Sequence, residues 1–390
     1  MMKRALAFLL LATLLGGCTA IKNAFKGSNK ENIEPPKVLT EFAPTVTVEK
    51  LWTTGVGKGA RKTGVHLTPA YADGKLYAIS TTGVLEALDA TTGRTLWEKK
   101  DKKIAYAAGP TIGEGLLVVG TLDGTLFALN PADGSERWHA EVSSELISAP
   151  AVDGGMVVAR SYDGRVYGFD AANGERKWIF DRNTVPLLSL RGNSAPLIRE
   201  GVVITGGDNG KVVGLRLTDG VEVWEQVIST GEGRTEIERL QDVDGILQAD
   251  AGVVYAAGYR GQITALAGNN GRPLWAHDLS SYSGVAISPA AVFANDVDSN
   301  IWSLDRNNGT SLWKQDVLGY RWLSPPAVQG DYIVVGDFDG YVHWLNLNDG
   351  KLAARVRLTK KPIDSVPLVV GNTVYVQASN GELGAYRIAK

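Results

Sequence analysis

One unit is written eight times along most of this 390-residue chain, and that repetition constrains the fold more than any single residue does. The first full unit runs Pro69-Ala70, then Leu76 to Ile79, Gly83, Leu85 to Asp89, Gly93 and Trp97. The same order recurs from Pro110 to Trp138, Pro150 to Trp178, Pro196 to Trp224 and Leu247 to Trp275. A sixth copy ends at Trp313, is shortened near its start, and has Ser299 in place of the central glycine. The seventh runs from Pro326 through Gly340 to Ala354, and the eighth from Pro367 through Gly381. Proline to glycine is 14 residues in six copies, and glycine to tryptophan is 14 in five. Glycine is abundant, at 46 residues, because the unit needs tight turns. Asp123-Gly124, Asp163-Gly164, Asn209-Gly210, Asp339-Gly340 and Asn380-Gly381 sit where a two-residue hairpin demands positive φ.

Each unit reads as four short strands, the last ending on tryptophan. Four-stranded units of about 40–50 residues are β-propeller blades. The expected fold is all-β, an eight-bladed β-propeller over residues 46–390. The eighth unit stops at Ile388 before any fourth strand, while Val48 to Trp52 matches Thr95 to Trp97 of the first unit. The N-terminal strand is therefore expected to complete the last blade and hide its exposed edge. Tryptophans 52, 97, 138, 178, 224, 275 and 313 share one repeat position, which predicts packing of each outer strand against the next blade. Asp89, Asn130, Asp170 and Asp305 recur as turn residues, whose side chains bond their own backbone.

Ahead of the repeats, Lys3 and Arg4 precede an apolar run from Ala5 to Leu15, too short to span a bilayer at about 20 residues but suited to a signal peptide. The run ends in Leu15-Gly16-Gly17-Cys18 and resembles the bacterial lipoprotein box, which implies residues 1–17 as signal peptide and Cys18 as the lipidated first residue. Thr19 follows where inner-membrane lipoproteins carry aspartate, so the resemblance implies the outer membrane, with the chain facing the periplasm. Residues 18–45, polar and broken by Gly27, Pro35, Pro36 and Pro44, are expected to be a flexible tether.

Several chemistries find no support in the sequence. The single cysteine excludes an intrachain disulfide, and His66, His139, His277 and His343 lie far apart without zinc-site spacing. A formal net charge of −2 gives no electrostatic reason to expect nucleic-acid binding. The repeat Ala87-Leu88-Asp89-x-x-Thr92-Gly93-x-x-x-Trp97 resembles the tryptophan-docking motif of quinoprotein dehydrogenases, eight-bladed enzymes that hold pyrroloquinoline quinone and calcium on the propeller axis. Their adjacent cysteine pair cannot exist here. The expectation is therefore no enzyme, no cofactor and no metal, with a quinoprotein-like dehydrogenase or ligand-binding propeller as the alternative.

Departures from the repeat carry the functional signal. Most blade-to-blade connections hold 11 or 12 residues, but 178→196 holds 17 and 224→247 holds 22. The first contains Pro186 to Gly192 and the second Thr235 to Asp244. Apolar residues in such loops suggest a contact surface. The lipoprotein box, the eight repeats, Leu188-Ser189-Leu190-Arg191-Gly192 and Arg239-Leu240-Gln241-Asp242-Val243-Asp244 together resemble the propeller lipoprotein family of the bacterial outer-membrane β-barrel assembly (BAM) machinery. That resemblance implies a non-catalytic scaffold. Its partners would be the POTRA domains of BamA, other BAM-complex lipoproteins and nascent outer-membrane proteins. It also implies Leu188, Leu190, Arg191, Asp242 and Asp244 as the BamA-facing residues, the aspartates either meeting a partner's cation or holding Arg191.

Overall fold

The computed structural model describes residues 34–60, 63–181, 194–230 and 241–389. Every regular element among them is a strand, numbered β1 to β32 in chain order, and the strands form eight four-stranded antiparallel sheets. The first blade is β2 (Ala70–Ala72), β3 (Lys75–Ser80), β4 (Val84–Asp89) and β5 (Thr95–Lys100), hydrogen-bonded in that order. Six more blades repeat this meander. The sixth, irregular in sequence, is complete, from β22 (Val285–Ile287) to β25 (Ser311–Gln315). Ser299 takes the left-handed conformation itself, at φ 64°, so the missing glycine costs backbone strain rather than a strand. In the fifth blade the left-handed residue is Arg260, at φ 53°, one place before Gly261.

The last blade is closed by the N-terminus. Strand β1 (Val48–Gly55) pairs antiparallel with β32 (Glu382–Ile388), from Val48↔Ile388 to Gly55↔Glu382, beyond β31 (Thr373–Gln377) and β30 (Leu368–Val370). The edge that β32 would expose is thereby paired.

Burial follows position in the blade. The second strands are buried throughout or at all but their first residue, whereas the outer strand β17 (Glu222–Val227) has Trp224 as its one buried side chain. Seven outer-strand tryptophans each donate an indole N–H to a carbonyl in the last turn of the next blade, at 2.8–3.1 Å: Trp52 to Ala90, Trp97 to Pro131, Trp138 to Ala171, Trp178 to Leu217, Trp224 to Gly268, Trp275 to Arg306 and Trp313 to Leu347. Each ring lies on that turn's glycine. A Cβ on Gly174 would sit 2.6 Å from the Trp138 ring, and its φ of 75° disfavours a side chain in any case. The Asx residues shape the same turns: Asp89 Oδ1 accepts from the Thr91 and Thr92 amides and the Thr92 hydroxyl.

The eighth junction explains Ala354. The eighth blade has no turn between its third and fourth strands, because its fourth strand comes from the other end of the chain. A tryptophan at 354 would find no turn carbonyl. Instead buried Trp344 on β28 (Tyr341–Asn346) donates to Gln329 Oε1 at 2.7 Å, and Gln329 Nε2 donates to the Asn372 carbonyl at 2.9 Å. Trp344 also meets Tyr386 edge-on at 6.1 Å.

The chain settles on the body earlier than the expected tether boundary of 45. The Lys37 amide donates to the Gly319 carbonyl at 3.0 Å, Leu39 packs into a core cluster, Arg355 Nη2 donates to the Thr40 carbonyl, and the Thr45 amide donates to Ala353. Segment 37–45 is thus a strap on the sixth and seventh blades rather than free tether.

Candidate functional site

Meander topology sorts the loops. Turns between first and second and between third and fourth strands share one face of the ring. The central hairpins and the blade-to-blade connections share the other, which carries both long connections. Of the sequence-predicted site residues, Cys18, Leu188, Leu190 and Arg191 lie outside the described residues. Asp242 and Asp244 are described, and both are buried, at 0% and 4% exposure.

Local chain geometry puts them there. Asp242-Val243-Asp244 leads toward β18 (Gln248–Asp250), and in near-extended chain alternate residues point the same way. Val243 fills an apolar cluster with Ile204 and Leu247, while its amide donates to the Gly207 carbonyl at 3.0 Å. Gly207 opens the hairpin between β15 (Val202–Gly206) and β16 (Lys211–Arg216), whose Asp208 reaches Arg160 at the end of β11 (Met156–Arg160). Arg160 Nη2 and Asp208 Oδ1 are 2.5 Å apart, and both side chains are at most 9% exposed. The buried Ser194 hydroxyl, which ends the other long connection, accepts from the Gly206 amide at 3.2 Å. Both long connections therefore terminate at one hairpin.

Among the described residues this cluster sets one cation, Arg160, beside three carboxylates. Burial disfavours the Arg160 cation, but Asp208, Asp244 and Asp242 outweigh it and hold the guanidinium above its usual range. Asp244 goes the other way. Burial drives its carboxyl well up, Arg160 opposes this, and the neighbouring carboxylates of Asp242 and Asp208 add to it. Neither Asp244 oxygen meets a hydrogen-bond donor among the described residues. A buried carboxylate without a donor is a costly arrangement, and it marks a site rather than ordinary packing.

Sequence reading missed a second buried cluster, on the same face at the seventh blade. Arg321, 4% exposed, donates from Nε to Asp337 Oδ2 at 2.8 Å, from Nη2 to Asp339 Oδ2 at 2.9 Å, and from Nη1 to the Lys37 carbonyl at 3.0 Å. Asp337 also accepts from the Asp339 and Tyr341 amides, and its Oδ2 meets His343 Nε2 at 3.0 Å. Burial would raise the Asp337 carboxyl, but the His343 hydrogen bond, with the Tyr341 amide and Arg321, holds it below its usual range. Burial pushes the His343 imidazole down despite Asp337, so at neutral pH the histidine is a neutral hydrogen-bonding group. No group of three or more His, Cys, Asp or Glu among the described residues is placed to hold a metal ion. No helix among them is long and apolar enough to cross a membrane.

Fold and site together define an eight-bladed β-propeller whose distinguishing feature is a buried acidic cluster where two long connections end, with Asp244 lacking a donor among the described residues. The family model described as outer membrane protein assembly factor BamB matches residues 43–108, 81–315 and 297–390. The chain belongs to the BamB family. It is 45% identical to the outer membrane protein assembly factor BamB of Xanthomonas campestris, over 100% of this chain and 98% of that one. The crystal structure of BamB from Moraxella catarrhalis superimposes with a TM-score of 0.80 at 27% identity, covering 87% of this chain and 100% of that one. Quinohemoprotein alcohol dehydrogenase from Comamonas testosteroni aligns with a TM-score of 0.68 at 16% identity, over 87% and 76% of the two chains, a likeness of fold alone.

Proposed function

We propose that this protein is a non-catalytic scaffold of the outer-membrane β-barrel assembly machinery, held at the outer membrane by a lipid on Cys18 and facing the periplasm. Similarity at 45% identity over the full length of a named assembly factor supports this reading. Residues 1–17 are its signal peptide. Its principal partner is the POTRA region of BamA, alongside the other lipoproteins of the complex and nascent barrel proteins. Leu188, Leu190 and Arg191 supply the contact. Asp242 and Asp244, being buried, act by holding the arginine of the neighbouring connection rather than by touching the partner. Carboxylates that close on an arginine as the partner docks set its planar fork toward the partner's carbonyls or carboxylates. No observation favours a dehydrogenase, since the enzyme likeness is of fold at 16% identity.

The test is copurification. Replacing Leu190 and Arg191 together with alanine is expected to abolish recovery of BamA from detergent-solubilised envelopes while moving the melting temperature by a few degrees at most. Undiminished recovery with a normally folded double variant would show that these residues do not form the contact.

A further inference from the structure

We propose that the connection face over the sixth to eighth, first and second blades rests on an anionic phospholipid surface, with Lys58, Lys102, Lys103, Lys360 and Lys361 above the headgroups and Trp322 among them. The orientation rests on the lipid-anchor reading above. Three successive connections supply the lysines: 7→8 carries Lys360 and Lys361, 8→1 carries Lys58, and 1→2 carries Lys102 and Lys103. All five are exposed, in a chain whose formal charge is −2. Nearby acidic groups offset them in part: Asp101 is exposed and its Oδ1 accepts from the Lys103 amide, while burial pushes the Asp364 carboxyl up against the pull of His66, and the five lysines remain in excess. Several lysines on one rim attract an anionic leaflet within a screening length.

Trp322 continues this rim on the 6→7 connection. It is 63% exposed, against at most 8% for Trp138, Trp178, Trp224 and Trp275. Tyr320 and Trp322 both take left-handed φ, at 58° and 47°, while Arg321 between them is locked inward by Asp337 and Asp339. Strain of this kind persists where the surroundings enforce it, and here the effect is to turn an indole outward. Indoles concentrate at membrane–water interfaces, where one edge is apolar and the other wet.

The N-terminal strap selects lipid over an acidic protein as the occupant. Lys37 is fixed to this same connection, through Gly319 and through an ion pair of its Nζ with Asp316 at 2.7 Å. Val38 beside it is 85% exposed. Cys18 lies 19 residues before Lys37 (37 − 18), a reach of at most about 65 Å. The anchored chain thus joins the body at this rim and keeps a bilayer within reach, and the lysines and Trp322 set which face meets it.

Because the sole cysteine is occupied in the lipidated chain, a second cysteine can carry a fluorophore. The full chain labelled at Lys102→Cys on the rim, or at Lys351→Cys on the opposite face, is reconstituted with quencher-bearing lipid. The vesicles are phosphatidylethanolamine with or without phosphatidylglycerol. The rim label is expected to be quenched about threefold more than the opposite one, only with phosphatidylglycerol, and to recover in about 1 M salt. Replacing Lys58, Lys103, Lys360 and Lys361 with glutamate is expected to abolish the difference while the chain stays on the vesicle. The glutamine set is used if the glutamate set lowers the melting temperature. Equal quenching of both labels, or indifference to phosphatidylglycerol and to charge reversal, overturns the proposal; a rim made for an acidic protein gives that result. Labelling of the chain without an added cysteine would report a free Cys18 and refute the anchor separately. An unlipidated chain that kept the rim-selective quenching would retain the membrane face without the anchor.

Discussion

Two buried arginines lie on the same face of the ring, and their surroundings differ in completeness. Arg321 faces Asp337 and Asp339 and a backbone carbonyl, and Asp337 has donors on both oxygens. Every charge there is answered, although His343 Nδ1 meets no partner among the described residues, and the product is a lock that fixes the N-terminal strap. Arg160 is one cation facing Asp208, Asp242 and Asp244, with Asp244 lacking any donor among the described residues. A buried network that is fully satisfied rigidifies, whereas a partly satisfied one is costly unless something else completes it. The first cluster is therefore structural. The second would be completed by a further cation, and that is the place proposed for Arg191 of the adjacent long connection.

The largest expected effect comes from breaking the finished cluster. Asp337→Ala leaves Arg321 buried with Asp339 as its only carboxylate and strands the amides of Asp339 and Tyr341. Loss of one partner of a buried pair costs about 3–5 kcal/mol, read from chemical denaturation. The sign in pH is fixed by the depressed Asp337 carboxyl. Its contribution is present above the unfolded carboxylate range and is lost as pH falls through the lower folded value, so wild type and variant should converge in acid. A loss below about 1 kcal/mol would mean that the lock is slack and the contrast between the clusters is wrong.

Asp208→Asn should cost less. Arg160 would keep Asp242 and Asp244 nearby, so no bare buried charge results, and the loss is that of one charged hydrogen bond, about 2 kcal/mol. A cost matching that of Asp337→Ala would show that the remaining carboxylates are already committed elsewhere.

How much of this could be read from the sequence divides along the same line. The blades, their number and the closure by a strand from Val48 to Trp52, which in the structure runs on to Gly55, were legible because repetition exposes turn glycines and docking tryptophans at fixed intervals. The docking of each tryptophan on the next blade followed from its repeat position. Arg160 and Asp337 were not picked out, although the repeat holds the signal. Positions equivalent to Arg160, four before the central glycine, are Ile79, Gly120, Gly206, Ala257, Asn295, Gly336 and Gln377, all uncharged. A charge at the end of an apolar strand in one blade of eight must be paired or paid for, so it points to a partner. What spacing could not supply is depth: Asp242 and Asp244 read as loop residues, and only their alternation around Val243, which anchors that segment in the core, buries them. The strap was hidden for a similar reason, because its backbone is held by the distant side chains of Arg321 and Arg355 and by two backbone bonds, partners that no local pattern announces.

The smallest expected effect is the most discriminating. Asp244 has its carboxyl raised by burial, with Asp242 and Asp208 adding to that and Arg160 opposing it. The folded state then binds a proton more tightly than the unfolded chain does. Between the ordinary carboxylate range and the raised folded value, stability falls as pH rises, and above that window the full penalty of a buried charge remains. Asp244→Asn removes the charge but keeps the shape. It is expected to raise the melting temperature by about 1–3 °C near pH 8, with the gain vanishing near pH 4, where the wild-type carboxyl is itself neutral. Thermal scans at the two pH values decide it. If the variant is instead destabilised near pH 8 and Arg191→Ala removes that difference, the arginine already completes the cluster in the free protein. The two buried arginine sites would then be equally finished, and partner binding would use an arginine fork held ready in advance.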